Sequence, residues 1–401
     1  MRRRSLVAPL LAALLLGGCR GEDPYVAPTP TVSQDAVPSV RAAETLAVLQ
    51  DALASADARS AGRLAATADG EAALEAAAGN VRRLGLDDVT LRFLGETGER
   101  GADGTWTATA ELTWRLRGFD EVAARTEIDV AFSEDGGAVA SLGASGRMQP
   151  LWLTGPVAVG GTEQTLVVST ASARTTRSYS LQAGVAIDAV RRVLPGAHRL
   201  VVEVPESVAQ LHTAVGQEPG TYDAVAAVTT SPDGSLAPGS PVHVFVNPEV
   251  YGDLGAVEAQ VVMTHEAVHA VTAAPLAPTA PLWLLEGFAD FVALRDVDLP
   301  VATTAAQIIR QVRADGPPSA LPDRLEFDAQ GSHLGAAYEA AWLACVALAE
   351  RRGEQALVEL YDAVLEGAPV EKELRRRFDW SVAELTAAWQ GRLAALAGVS
   401  Q

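Results

Sequence analysis

The stretch VVMTHEAVHAVT, Val261 to Thr272, holds two of the chain's six histidines, His265 and His269, four residues apart, with Glu266 directly after the first. On a helix four residues are just over one turn, so both imidazoles leave the same face and can share one ion. The helix itself is expected from Val257, Val261, His265, Val268 and Thr272, which recur at helical spacing between the breakers Pro248 and Pro275. Glu266 leaves that helix about 100° round from His265, so its carboxylate falls beside an ion held by the histidines and not on it. A carboxylate there can take a proton from an activated water.

Two histidines leave a catalytic metal site short, because such sites usually have three protein ligands and one open position. The third candidate is Glu286 in APLWLLEGFADFVALRD, after sixteen intervening residues. It begins a second helix behind Pro281 and stands among Leu285, Gly287 and Phe288, where an uncompensated carboxylate is costly to bury and a cation removes the cost. A solvated acid favoured by a helix N-terminus is the alternative for Glu286 taken alone. Asp290, one turn further on, is placed to reach the free ring nitrogen of a ligating histidine and fix its tautomer; its alternative is an exposed helix acid.

HEAVH and the downstream PLWLLEGFADF together resemble the gluzincin zinc metallopeptidases, in particular the peptidase MA-like group, and YEAAWLACVALAERRGEQALVELYDAVLEG is similar to that group's helical C-terminal part. The resemblance spans about residues 160–395. It implies that His265, His269 and Glu286 bind one zinc ion (Zn2+), that Glu266 is general base and acid, that Asp290 supports a ligand, and that the substrate is a peptide or protein. It also implies an oxyanion donor from the helical half, for which Tyr338 and His333 in GSHLGAAYEAAW are the candidates; Tyr338 is preferred, with a core or capping aromatic as its other reading. PVHVFVN, Pro241 to Asn247, resembles the zincin edge strand on which an extended substrate would add. His243 on that strand is read as solvated, and His198 and His212 receive no role.

The expected fold class is α+β. The chain has 401 residues, 48 % apolar and 20 % charged, enough for a normal core and for two units. Residues 39–152 begin with helical periodicity, including SVRAAETLAVLQDALASADARSAGRLAA, and continue as alternating strands such as DVTLRFLGE, TWTATAELTWRLR and RTEIDVAFSE. That order resembles a nuclear-transport-factor-2-like cone. Residues 155–398 are the gluzincin-like unit, expected as a mixed sheet up to Asn247–Pro248 and an all-helical half after it.

The chain opens like an export signal, with Arg2 to Arg4, an apolar run, and then LGGC ending at Cys19. LGGC resembles the bacterial lipobox, which implies removal of residues 1–18, lipid attachment at Cys19, and a location on the outer face of the membrane; a plain cleaved signal with a stray cysteine is the alternative. Residues 20–38 read as a disordered tether. Loss of residues 1–18 removes three arginines and takes the formal charge from −19 to −22, 28 basic groups against 50 acidic. Such a chain is a poor nucleic-acid binder and has no polybasic patch for anionic lipid, so attachment rests on the lipid. With Cys19 acylated, Cys345 stands alone in an apolar helical run and reads as a small core residue. The resulting expectation is a surface-anchored zinc peptidase. The competing one is a zincin-fold lipoprotein that binds without turnover, its first unit acting as an adaptor.

Overall fold

The computed structural model describes residues 36–97, 100–143, 147–327 and 334–399. Cys19, the leader, most of the stretch read as a tether and His333 lie outside them. The α+β class expected from the sequence is the class observed, with helices and an antiparallel sheet first, a mixed sheet next, and helices to the end.

The first unit begins with α1 (Ala36–Ala54), α2 (Ala58–Gly62) and α3 (Ala68–Leu84). The sequence suggested one long helix through Ala66, but the chain breaks at Ala56, which takes a left-handed φ of 54°. Asp57 then starts α2 by accepting a bond from the Ser60 N–H. Strands β1 (Leu86–Thr97), β2 (Trp106–Leu116), β3 (Ala124–Phe132) and β4 (Val139–Leu142) form an antiparallel sheet in sequence order. The period-2 pattern holds where it was read: Val89 and Leu91 of β1 are buried, and so are Ile128, Val130 and Phe132 of β3.

The second unit builds its sheet from β5 (Ala158–Gly161), β6 (Thr165–Ser169), β7 (Leu200–Val204), β8 (Ala227–Thr230) and β9 (His243–Val246), in the order β5-β6-β7-β9-β8. Two crossover helices, α4 (Ala173–Val193) and α5 (Val208–Val215), make β6, β7 and β9 parallel, while β5 and β8 run antiparallel at the two edges. The three parallel strands are buried at every position because both faces are covered. Val167, Val202, Val244 and Val246 face the helices, whereas Leu166, Val168 and Val201 join the core of the first unit beside Trp114 and Trp152. The two sheets are thus joined through a shared apolar layer.

The helical half comprises α6 (Pro248–Gly252), α7 (Ala256–Thr272), α8 (Leu282–Ala293), α9 (Val301–Thr304), α10 (Ala306–Asp315), α11 (Leu334–Arg352), α12 (Glu354–Leu365), α13 (Val370–Phe378) and α14 (Val382–Ala397). Helix α7 packs between the sheet, α4 and α8. At its start Glu258 accepts a bond from the Gly255 N–H at 3.0 Å; at its end Ala273 is left-handed, φ 51°, and turns the chain toward α8.

Two readings of the PVHVFVN segment are corrected. It is not an edge strand, because β9 is hydrogen-bonded on both sides, to β7 and to β8. Nor is His243 solvated. It is 1 % exposed, with Nδ1 2.8 Å from Glu203 Oε1 on β7 and Nε2 3.0 Å from Asp120 Oδ1 of the first unit. Asp120 is itself held in place by the Leu116 N–H. Burial alone would lower the His243 pKa, but the two carboxylates outweigh it and raise the value to about 10. The imidazolium therefore links the two units.

Because the folded pKa lies above the ordinary 6.5, the stability contributed by charged His243 is complete below about pH 6.5 and is lost as pH rises through about 10. The denaturation midpoint of the wild-type chain is accordingly expected to fall between neutral pH and pH about 10. His243→Gln, which leaves two buried carboxylates without their cation, is expected to destabilise by about 3–5 kcal/mol at neutral pH and to flatten that alkaline slope.

Candidate metal centre

His265 and His269 lie on the buried face of α7, where Met263, Ala267 and Val268 hold the helix against its neighbours. Glu286 comes from the first turns of α8. The structure brings the three side chains together: His265 Nε2 is 3.0 Å from His269 Nε2, and Glu286 Oε2 is 3.1 Å from the first and 3.2 Å from the second. They are the one group of this kind among the described residues whose ligand atoms converge. Donors about 2.0 Å from a tetrahedral ion stand about 3.3 Å from one another, so the triangle has the dimensions of one face of a tetrahedral site. The atoms are also the right chemistry for it, two imidazole nitrogens and a carboxylate oxygen.

Asp290 sits where the sequence placed it. His265 Nδ1–H donates to Asp290 Oδ1 at 2.7 Å, so in the neutral ring the Nε2 lone pair faces the triangle. The electrostatics favour positive charge there. Burial opposes charge on His265, yet Asp290 and Glu286 raise its pKa well above the ordinary imidazole value. Burial would raise Glu286, but His269 and His265 draw it far below the usual carboxylate range.

Gly287, beside Glu286, is a residue whose part the sequence did not reveal. A Cβ there would stand 2.3 Å from the Ala341 carbonyl oxygen and 3.0 Å from Cys345 Sγ. Its absence lets α8 lie backbone-close to α11, the helix that carries Tyr338. The Cys345 thiol is fully buried at this contact, and burial pushes its pKa up, in keeping with a core role.

Tyr338 stands at the site, its ring 5.7 Å from that of His265 and 5.2 Å from that of Phe327. Burial, then the negative charges of Glu286, Glu266 and Asp290, push its pKa up, so it remains an O–H donor at all ordinary pH. His333, the other candidate donor, lies outside the described residues. Glu266 is partly buried beside the triangle, and its Oε2 accepts a bond from the Thr229 hydroxyl of β8 at 2.5 Å. The cleft that joins these groups has a volume of about 310 Å³, with apolar walls that include Val225, Val228, Leu282 and Leu285.

Tyr222 also lines this cleft. Its N–H donates to Nε2 of buried His212 at 3.2 Å, so that histidine, given no role from the sequence, anchors the loop forming one wall. His198 is not among the groups that converge at the triangle, and it bonds the Leu194 carbonyl. The Thr229 contact had no sequence signal, since it depends on which strand ends the sheet.

No protein-family model, no curated protein and no solved structure matches the chain. Replacing Asp290 by Asn, which keeps the shape but removes the charge oriented on His265, is expected to lower the affinity of the triangle for added zinc about 10- to 100-fold. Competition against a chelating dye measures this; an unchanged affinity would contradict the support role of Asp290.

Proposed function

We propose that the protein is a zinc-dependent peptidase. The observation that carries this reading is the convergence of His265 Nε2, His269 Nε2 and Glu286 Oε2 within 3.2 Å, with a further carboxylate, Glu266, next to them but not among them. Zinc binding alone needs the first three groups; hydrolysis needs the fourth. Bound at the triangle, a zinc ion would supply Lewis acidity toward a water and a peptide carbonyl.

The chain's own groups would do the rest. Glu266 accepts a proton as the water attacks the carbonyl carbon, then delivers it to the amine as the C–N bond breaks. Tyr338, kept protonated by burial and by the surrounding carboxylates, donates its O–H to the oxygen on which negative charge develops. The substrate strand has a place on β8, which ends the sheet and runs along the cleft. An added strand makes backbone bonds to such an edge and leaves its alternate side chains to the flanking walls. The edge is thus β8, in place of the Pro241–Asn247 segment.

The lipobox-like leader adds an exported location with anchorage at Cys19 to this proposal. No described helix is long and apolar enough to cross a membrane.

The test is hydrolysis of a peptide library by the mature, zinc-loaded chain. Chelation is expected to abolish cleavage and added zinc to restore it. Glu266→Gln is expected to keep the metal and to lose about 10²- to 10⁴-fold in rate. A Glu266→Gln chain that cleaves as fast as wild type would remove the assigned base. Tyr338→Phe is expected to lower kcat about 10²- to 10³-fold with KM little changed; an unaltered kcat would return Tyr338 to a packing role.

A further inference from the structure

The edge strand β8 meets the site through one residue in two ways. Thr229, 9 % exposed, turns its side chain toward α7. Its hydroxyl donates to Glu266 Oε2 at 2.5 Å and lies 3.2 Å from the Glu266 carbonyl oxygen. A hydroxyl has one proton to give, and the shorter contact is to the carboxylate. Among the described residues, Thr229 is the only hydrogen-bond partner of that carboxylate.

The backbone of Thr229 points the other way. The Asn247 N–H bonds the Ala226 carbonyl at 2.9 Å, and the register runs Ala227 to Val246, Val228 to Phe245, Thr229 to Val244 and Thr230 to His243. Hydrogen-bonded and non-bonded pairs alternate along an antiparallel ladder. Ala226, Val228 and Thr230 therefore turn their backbone groups to β9. Ala227 and Thr229 turn theirs to the far side of β8, where no described strand pairs. A peptide added to this edge would bond the same residue whose hydroxyl holds Glu266.

We propose that Thr229 is the positioning residue for Glu266: it fixes one carboxylate oxygen, leaves the other for the proton, and ties that orientation to the pairing of a peptide strand on β8. This inference rests on the reading of Glu266 as the base. A glutamate has three side-chain rotors, and a base works only when its lone pair is aimed. Threonine suits the task at this position, since branching at Cβ favours a strand and restricts χ1, so the hydroxyl points in a set direction. Valine would keep the shape and lose the donor; serine would keep the donor and lose the methyl.

The experiment compares the wild-type chain, Thr229→Val and Thr229→Ser, all zinc-loaded. Metal content and unfolding midpoint are expected to be alike in the three. In Thr229→Val, kcat is expected to fall about 10- to 100-fold with KM unchanged, and Thr229→Ser is expected to recover most of it. A valine variant with full kcat, a loss confined to KM, or equal losses in valine and serine would overturn the proposal. Crystal structures of the same proteins give a readout apart from turnover. The Glu266 carboxylate is expected in one orientation with Thr or Ser at 229 and spread over several with Val. A Glu266 that keeps its place in Thr229→Val overturns the proposal even if the wild-type chain is inert, whereas an inert wild-type chain that holds zinc overturns the peptidase reading itself.

Discussion

A carboxylate brought from one helix onto two imidazoles of another is the interaction around which the second unit is arranged. Glu286 stands among Leu285, Gly287 and Phe288, within 3.2 Å of both ring nitrogens. Burial of that charge without a counter-charge is unfavourable by several kcal/mol, so the contact demands a proton or a cation. The surroundings serve that demand. Asp290 turns His265 so that Nε2 faces Glu286. Gly287 lets α8 lie against α11, which sets Tyr338 beside His265. The left-handed turn at Ala273 sends the chain from α7 back toward α8.

The sheet serves the same centre from its other side. β8 ends the sheet beside α7, and Thr229 carries its influence to Glu266. The strands behind it are kept in place by burial on both faces and by the charged cluster of Asp120, His243 and Glu203. That cluster joins the first unit to the strand adjacent to β8. The first unit thus braces the sheet of the second while contributing no group to the triangle.

What could be read from the sequence divides along the range of the interactions. His265, His269 and Glu266 are fixed relative to one another by a single helix, so their spacing was sufficient. Glu286 and Asp290 are likewise one turn apart, and the apolar residues around Glu286 signalled a buried charge. The α+β class followed from periodicity, with period 2 in β1 to β3 and 3.6 in the helical half. Apart from the helix break at Ala56, the misreadings concern contacts that no local pattern encodes. The partners of His243 are Glu203 and Asp120, 40 and 123 residues away, so a lone histidine in a strand looked solvated. The identity of the edge depends on strand order, and β8, with only four residues, AVTT, gave a weaker signal than PVHVFVN. Thr229 and Gly287 act through atoms 37 and 54 residues distant, and neither residue type marks such a role.

The most direct test of the account is anomalous diffraction at the zinc absorption edge from crystals of the zinc-loaded mature chain. One strong peak is expected about 2.0–2.2 Å from His265 Nε2, His269 Nε2 and a Glu286 carboxylate oxygen, with one side open to the cleft. A zinc-loaded crystal with no peak at that triangle, or with the Glu286 side chain turned away to solvent, would contradict it.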